Sequence, residues 1–196
     1  MKERGVFVDH SLINRWAIEF LALLEKVLRK HERPVGASWR MDETYNKLKG
    51  ICTYLYRAVD KEGKTVDFLL TAKRDKAAAL GLFEKAMQAS GVPQKVTMDN
   101  SGANKAAMDG INVRGETPII VRQVKYLNTI VEQDHRAIKR ITKAMLNFKS
   151  FGAAKSIPAG IELMHMICKD QLLLQGCTEL SFADQFYAPA GKIRPV

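Results

Sequence analysis

Paired cysteines are missing from this chain. Cys52, Cys168 and Cys177 make an odd count with no CxxC pair, which argues against a disulfide framework or a zinc ribbon and fits a reducing cytosol. Metal-binding histidine spacing is missing too: His10, His31, His135 and His165 are scattered, without an HExxH or HxxxH pair. No apolar segment follows MKERGVF, so no signal peptide is expected. The apolar run 12–28 is broken by Asn14, Arg15, Glu19, Glu25 and Lys26, which makes it too polar for a membrane span. There is no internal repeat and no low-complexity tract. Acids are in deficit: 21 Asp and Glu against 31 Lys and Arg leave a formal net charge of +10. That balance favours a polyanionic partner, nucleic acid first and an anionic membrane surface second, with plain solubility as the bland alternative.

What is present describes an ordinary globular protein: 196 residues, 46% hydrophobic and 27% charged, enough for one domain and a small appendage. Residues 11–31 carry Leu12, Ile13, Trp16, Phe20, Leu23, Leu24 and Val27 at helical spacing, with Ser11 placed to cap the start. Pro34 and Gly36 in HERPVGAS end that helix and mark a linker. SWRMDETYNKL, GICTYLYRAVD and KTVDFLLTA are β-branched and aromatic runs joined by short Gly-bearing turns, so they read as a three-stranded antiparallel meander. RDKAAALGLFEKAMQAS is helical and stops at Gly91-Val92-Pro93. QKVTMD is a fourth strand and NSGANKAAMDG a turn leading into a helix. TPIIVRQ gives a fifth strand, and a helix follows over 126–146. The last helix, 152–175, has a start or kink expected at Pro158, and the tail 178–196 reads as extended. This order implies an α/β fold, a mixed sheet with helices on its faces.

Asp42 and Glu43 raise the functional question, because paired acids are poor strand formers and packing does not require them there. Strand alternation turns Glu43 to the side of the sheet opposite Asp42. Asp99 closes the fourth strand, and Glu132 lies in the N-terminal half of a helix after the fifth. Three carboxylates facing one point would repel unless cations sat between them, and Mg²⁺ prefers such oxygen ligands. Spacing alone does not select this triple among 21 acids. Asp60, Glu62 and Asp67 read as turn or solvent-face residues, and Glu162 as part of a solvated helical face. Glu132, Arg136, Lys139 and Lys143 share one helical face, with Arg140 alongside.

Four strings, WRMDETYNKLKGICTYLYRAVDKEGKTVDF, VTMDNSGANKAA, RQVKYLNTIVEQDHRAIKR and NFKSFGAAKSIPAGIELMHMI, closely resemble DDE transposases of bacterial insertion sequences. The resemblance is strongest to insertion-sequence family six, whose members form replicative cointegrates, and it runs in order over 38–172. It implies a ribonuclease H-like core and assigns the family's acidic triad to Asp42, Asp99 and Glu132. It also implies two Mg²⁺ ions, with Mn²⁺ able to substitute. The implied activity is end nicking and strand transfer on double-stranded DNA, both terminal repeats and target. A homodimer or larger synaptic complex in the bacterial cytoplasm, associated with the nucleoid, is expected. Lys139 matches the basic residue that commonly follows the family's Glu. Arg136, Arg140, Lys143, Arg122 and Lys125 are further candidate DNA contacts, and Asn128 and His135 candidate DNA contacts or supporting groups.

The implied organisation is 1–34 as a partial helix-turn-helix-like helical segment, 35–175 as the catalytic domain and 176–196 as a tail. ERGVFVDHSLINRW resembles the second half of the family's helix-turn-helix, so Ser11, Asn14 and Arg15 could face a major groove. The sequence then reads as shortened at its N-terminus, and an amphipathic helix for packing or dimerisation is the equal alternative. A catalytically inactive fragment that binds DNA or dimerises, and so regulates a full-length enzyme, is the rival function.

Overall fold

The computed structural model describes residues 9–29, 32–48, 50–115, 117–124, 129–144, 151–169 and 171. The chain divides into two compact units, Met1–Arg33 with Lys155–Val196, and Pro34–Ala154.

The second unit holds the sheet. Strands β1 (Ser38–Leu48), β2 (Ile51–Asp60) and β3 (Thr65–Thr71) form the antiparallel meander. Gly50 and Gly63 both sit at φ +83°, the left-handed backbone that the two tight turns require. Helix α2 (Lys76–Ser90) follows; Asp75 caps it by accepting the Ala78 N–H at 2.8 Å, and Gly91 ends it at φ +81°. Strand β4 (Lys95–Met98), helix α3 (Gly102–Arg114), strand β5 (Ile120–Gln123) and helix α4 (Thr129–Ala144) complete the unit. β4 adds to β1 in parallel and β5 to β4 in parallel, giving the order β3-β2-β1-β4-β5. A mixed sheet in this order, with β2 alone running against the rest, is the ribonuclease H-like arrangement.

One face of the sheet is sealed by α2 and α3. Trp39, Met41, Tyr56, Ala58, Val96 and Met98 project into Ala79, Leu82, Phe83, Ala86, Ala107 and Met108, all essentially buried. Fully burying the Met, Val, Leu and Phe side chains among these contributes roughly 1.5–3 kcal/mol each, and the alanines less. Helix α4 packs against β1 and β2, with Val131 and Ile138 fully buried.

The first unit holds helix α1 (His10–Leu28) and, from Lys155 onward, helix α5 (Phe151–Cys168). A Cβ at Gly160 would meet Leu21 at 2.9 Å, so the two helices approach closely there. The Arg33 N–H donates to the Gln171 carbonyl at 2.8 Å and ties the two ends of this unit together.

The structure corrects several local expectations. The N-cap of α1 is Asp9 rather than Ser11; the Ser11 hydroxyl instead donates to the Asp9 carboxylate. α5 does not start at Pro158: it begins seven residues earlier and contains the proline. Asp60 and Asp67 are buried rather than solvent-facing, although Asp60 does serve the β2–β3 turn, because local and distant donors together satisfy them. Asp60 accepts the backbone N–H groups of Gly36, Glu62 and Lys64 at 2.9–3.0 Å. Asp67 accepts the Lys85 ammonium and its neighbour's Phe68 N–H, both at 2.8 Å. Glu162 is also buried rather than solvated. Asp99 lies one residue beyond β4 rather than closing it. The tail, Lys125, Asn128 and Cys177 lie outside the described residues.

Candidate active site

Parallel pairing of β1 with β4 positions the first two acids. Arg40 stands opposite Thr97, so Asp42 and Asp99 each follow two residues later on adjacent chain segments. Asp42 is mid-strand; Asp99 begins the turn into α3. The Asp99 carboxylate accepts the Ser101 N–H at 3.1 Å and the Asn104 side-chain amide at 3.2 Å, which folds this turn over its own helix start.

Single carboxylate oxygens of Asp42, Glu43 and Asp99 all lie within 4.8 Å of one another. Glu43 was expected to face away. Its contacts do follow the opposite side of β1: Arg74 and Asn104 hold it, whereas Asp42 meets α4. Its side chain is nevertheless long enough to bring one oxygen back to the cluster. Glu132, in the first turn of α4, is exposed and does not belong to that 4.8 Å group, yet its charge acts on Asp42.

Electrostatics single out Asp42. Burial pushes its carboxyl up to about 7, the negative charge of Glu43 adds to this, and Asp99 and Glu132 contribute further, against a lowering hydrogen bond from the Glu43 backbone. His135, 4% exposed on α4, brings Nε2 to 3.7 Å from Asp42 Oδ2. It is thus a neighbour of the acid rather than a surface DNA contact. Under Glu43, the fully buried Tyr56 hydroxyl is pushed up to about 12, by burial first and then by Glu43.

Several carboxylates converging this closely, one of them driven toward neutrality, form a site short of positive charge. Its donors are hard oxygens, the chemistry that fits Mg²⁺ or Mn²⁺. Asp42 and Asp99 are the residues that could hold such an ion, and Glu132 lies outside their close group, its charge reaching Asp42.

On α4, Arg136, Arg140 and Lys143 are exposed, whereas Lys139 is half-buried with its ammonium 4.6 Å from the centre of the Tyr45 ring. That cation–π contact orients the lysine. Arg122 is exposed on the edge strand β5, and Arg15 on α1; Asn14 lies in the same helix. Sequence reasoning missed Arg74, Asn104 and Tyr45. The one available signal was Asn104 five residues after Asp99, a polar residue on the first turn of α3.

A DDE domain family model matches residues 36–171, which include all three acids. The transposase of insertion sequence-like element IS431mec from Staphylococcus aureus is 39% identical over 171 residues, covering 86% of this chain and 75% of the relative. The transposase of insertion sequence element IS257 in transposon Tn4003, also from Staphylococcus aureus, is 38% identical over the same extent. Among solved structures, the integrase catalytic core domain of HTLV-2 in complex with magnesium is 20% identical with a TM-score of 0.45, covering 58% of this chain and 75% of that one. The catalytic core domain of BIV integrase is 14% identical with a TM-score of 0.49, covering 80% and 97%. The site and the matching family model together define a DDE-domain enzyme, a polynucleotidyl transferase. Within that class, the chain belongs to the transposases of insertion-sequence family six.

Proposed function

We propose that this transposase nicks double-stranded DNA at insertion-sequence ends and transfers the freed 3′-hydroxyl to a target phosphodiester, using Asp42, Asp99 and Glu132 as its catalytic carboxylates. The observation that carries the reading is the meeting of Asp42 and Asp99 across β1 and β4, with Glu132 close enough to press on Asp42. Two Mg²⁺ ions, or Mn²⁺ in their place, would activate water and neutralise charge developing on the phosphodiester. The chain's own work is positioning: β1 and β4 fix two ligands on the rigid sheet, α4 carries the third, and His135 packs against Asp42.

Double-stranded DNA, both terminal repeats and target, is the proposed partner, reached through Arg136, Lys139, Arg140 and Lys143 on α4 and Arg122 on β5. Lys125, Asn14 and Arg15 remain candidates for the same contact. Transposition joins two ends, so a homodimer or larger synaptic complex is proposed. Trp16, Phe20 and Leu23, exposed at i, i+4 and i+7 on α1, support self-association. No helix among the described residues is long and apolar enough to cross a membrane.

The test is a labelled terminal-repeat duplex with supercoiled target DNA, incubated with the chain and Mg²⁺ or Mn²⁺. Nicked and joined products are expected from the wild type and not from Glu132→Gln. A wild type as inert as this variant, with DNA binding retained, would leave the regulatory-fragment reading standing instead. For the basic face, Lys139→Ala is expected to weaken DNA binding and reduce the magnitude of the slope of log affinity against log salt by about 1. A fluorescence-anisotropy titration at several salt concentrations measures this, and an unchanged slope rules out a phosphate contact at Lys139.

A further inference from the structure

We propose that Arg74 competes electrostatically with the divalent cation for Asp99: anchored on Glu43, its guanidinium stands beside one carboxylate oxygen of Asp99 and swings away from it when the cation binds. The proposal rests on the reading of Asp42 and Asp99 as metal ligands.

The two partners of Arg74 hold it unequally. Its Nε and Nη2 both engage Glu43 Oε1, and the Glu43 side chain is only 4% exposed. Its Nη2 lies 3.7 Å from Asp99 Oδ2, beyond hydrogen-bond length, and the arginine side chain is 47% exposed. The contact with Glu43 is therefore the firm one, and the contact with Asp99 is long and screened by solvent.

Glu43 itself is fully engaged. Oε1 carries the guanidinium, and Oε2 accepts the Asn104 amide at 2.9 Å. The same Asn104 nitrogen, on a side chain 1% exposed, also donates to Asp99 Oδ1 at 3.2 Å. Glu43 is thus an anchor rather than a ligand, although one of its oxygens reaches the cluster. The two oxygens of Asp99 have correspondingly different surroundings. Oδ1 is fixed by Ser101 and Asn104, while Oδ2 meets only Arg74 among the described residues. Asp42 and Asp99 would hold the cation, with Asp99 Oδ2 the oxygen not already fixed by hydrogen bonds, and Arg74 could turn about Glu43 without losing its firm partner. Asn104 is a positioning residue in this arrangement, since it sets the Asp99 carboxylate against the Glu43 anchor.

Calorimetric titration of Mn²⁺ into the full chain without DNA tests the proposal. Arg74→Gln removes the competing charge and is expected to bind Mn²⁺ about tenfold more tightly than the wild type. Arg74→Lys keeps the charge but loses the fork that spans two carboxylates, so its affinity is expected between the two. A merely structural arginine would give the reverse, because loosening the site weakens binding. Wild-type or weaker Mn²⁺ affinity in these variants overturns the proposal. Asp99→Asn separates the two levels of the argument: if it binds Mn²⁺ as tightly as the wild type, the metal-site reading itself falls, whatever the arginine variants do.

Discussion

Asp42→Asn is expected to make this protein more stable and catalytically dead at the same time. The stability half follows from the pKa. Because the folded chain raises the Asp42 carboxyl from 3.8 to about 7, the native state holds a proton that the unfolded chain has already lost between those values. The favourable contribution is fully present below about pH 4 and is lost as pH rises through about 7. At pH 8 without divalent ions, the ionised Asp42 costs about 2–4 kcal/mol after discounting for partial solvent screening. Asparagine, neutral throughout, removes that cost. Its melting temperature should exceed that of the wild type by roughly 5–10 °C at pH 8, and the gap should close near pH 4. Thermal denaturation across that pH range in chelator decides it, and equal stabilities at pH 8 would refute it. The catalytic half has a different origin. On the proposed role of Asp42 as a metal ligand in end nicking, its loss removes several kcal/mol of transition-state charge stabilisation, so that proposed activity should fall by about a thousandfold or more.

A second large effect is expected far from the chemistry, at Asp60. Its two oxygens collect three backbone N–H groups, from Gly36 before β1 and from Glu62 and Lys64 in the β2–β3 turn. Asp60→Ala strands those donors around a fully buried position. Hydrogen bonds to charged groups contribute about 1.5–3 kcal/mol, and the orphaned donors recover water only in part. The variant should lose about 3–4 kcal/mol, read as a lower urea midpoint with an unchanged m-value. A loss below about 1 kcal/mol would mean that water replaces the carboxylate. Asp60→Asn, which keeps an acceptor, should lie between the two.

Both sites bear on what the sequence could reveal. Apolar and β-branched periodicity placed the meander and the helices α2 and α4 well, because those patterns reflect faces that must be buried. The motif strings identified the family to which the chain belongs, and with it the acids that β1 and β4 bring together. Burial of the remaining acids was illegible for a physical reason. Full burial of Asp60 and Asp67 takes local donors together with one far away in the chain, Gly36 for Asp60 and Lys85 for Asp67. A window of sequence contains the acid and its local donors but not the distant one. Glu43 is a different case. Alternation correctly assigned its side of the strand but says nothing of how far a glutamate reaches, so its return toward Asp42 and its link to Arg74 were missed. At Pro158 local chemistry offered a helix start or a kink, and the helix starts seven residues earlier and contains the proline.

The register of β1 against β4 also decides where this gene can gain or lose codons. Asp42 and Asp99 are each two residues past the paired Arg40 and Thr97. Removing one codon between Ser38 and Asp42 would slide Glu43 into the place of Asp42 and send every later side chain of β1 to the wrong face. The connection between α3 and β5 has its own anchor at Ile119, which is buried and held by the Asn112 side chain through both its N–H and its carbonyl, and neither bond sets the register of Asp42 or Asp99. Indels in the lineage of this protein should therefore be purged from the few codons leading into Asp42 and Asp99 and fall instead in the connection ahead of Ile119.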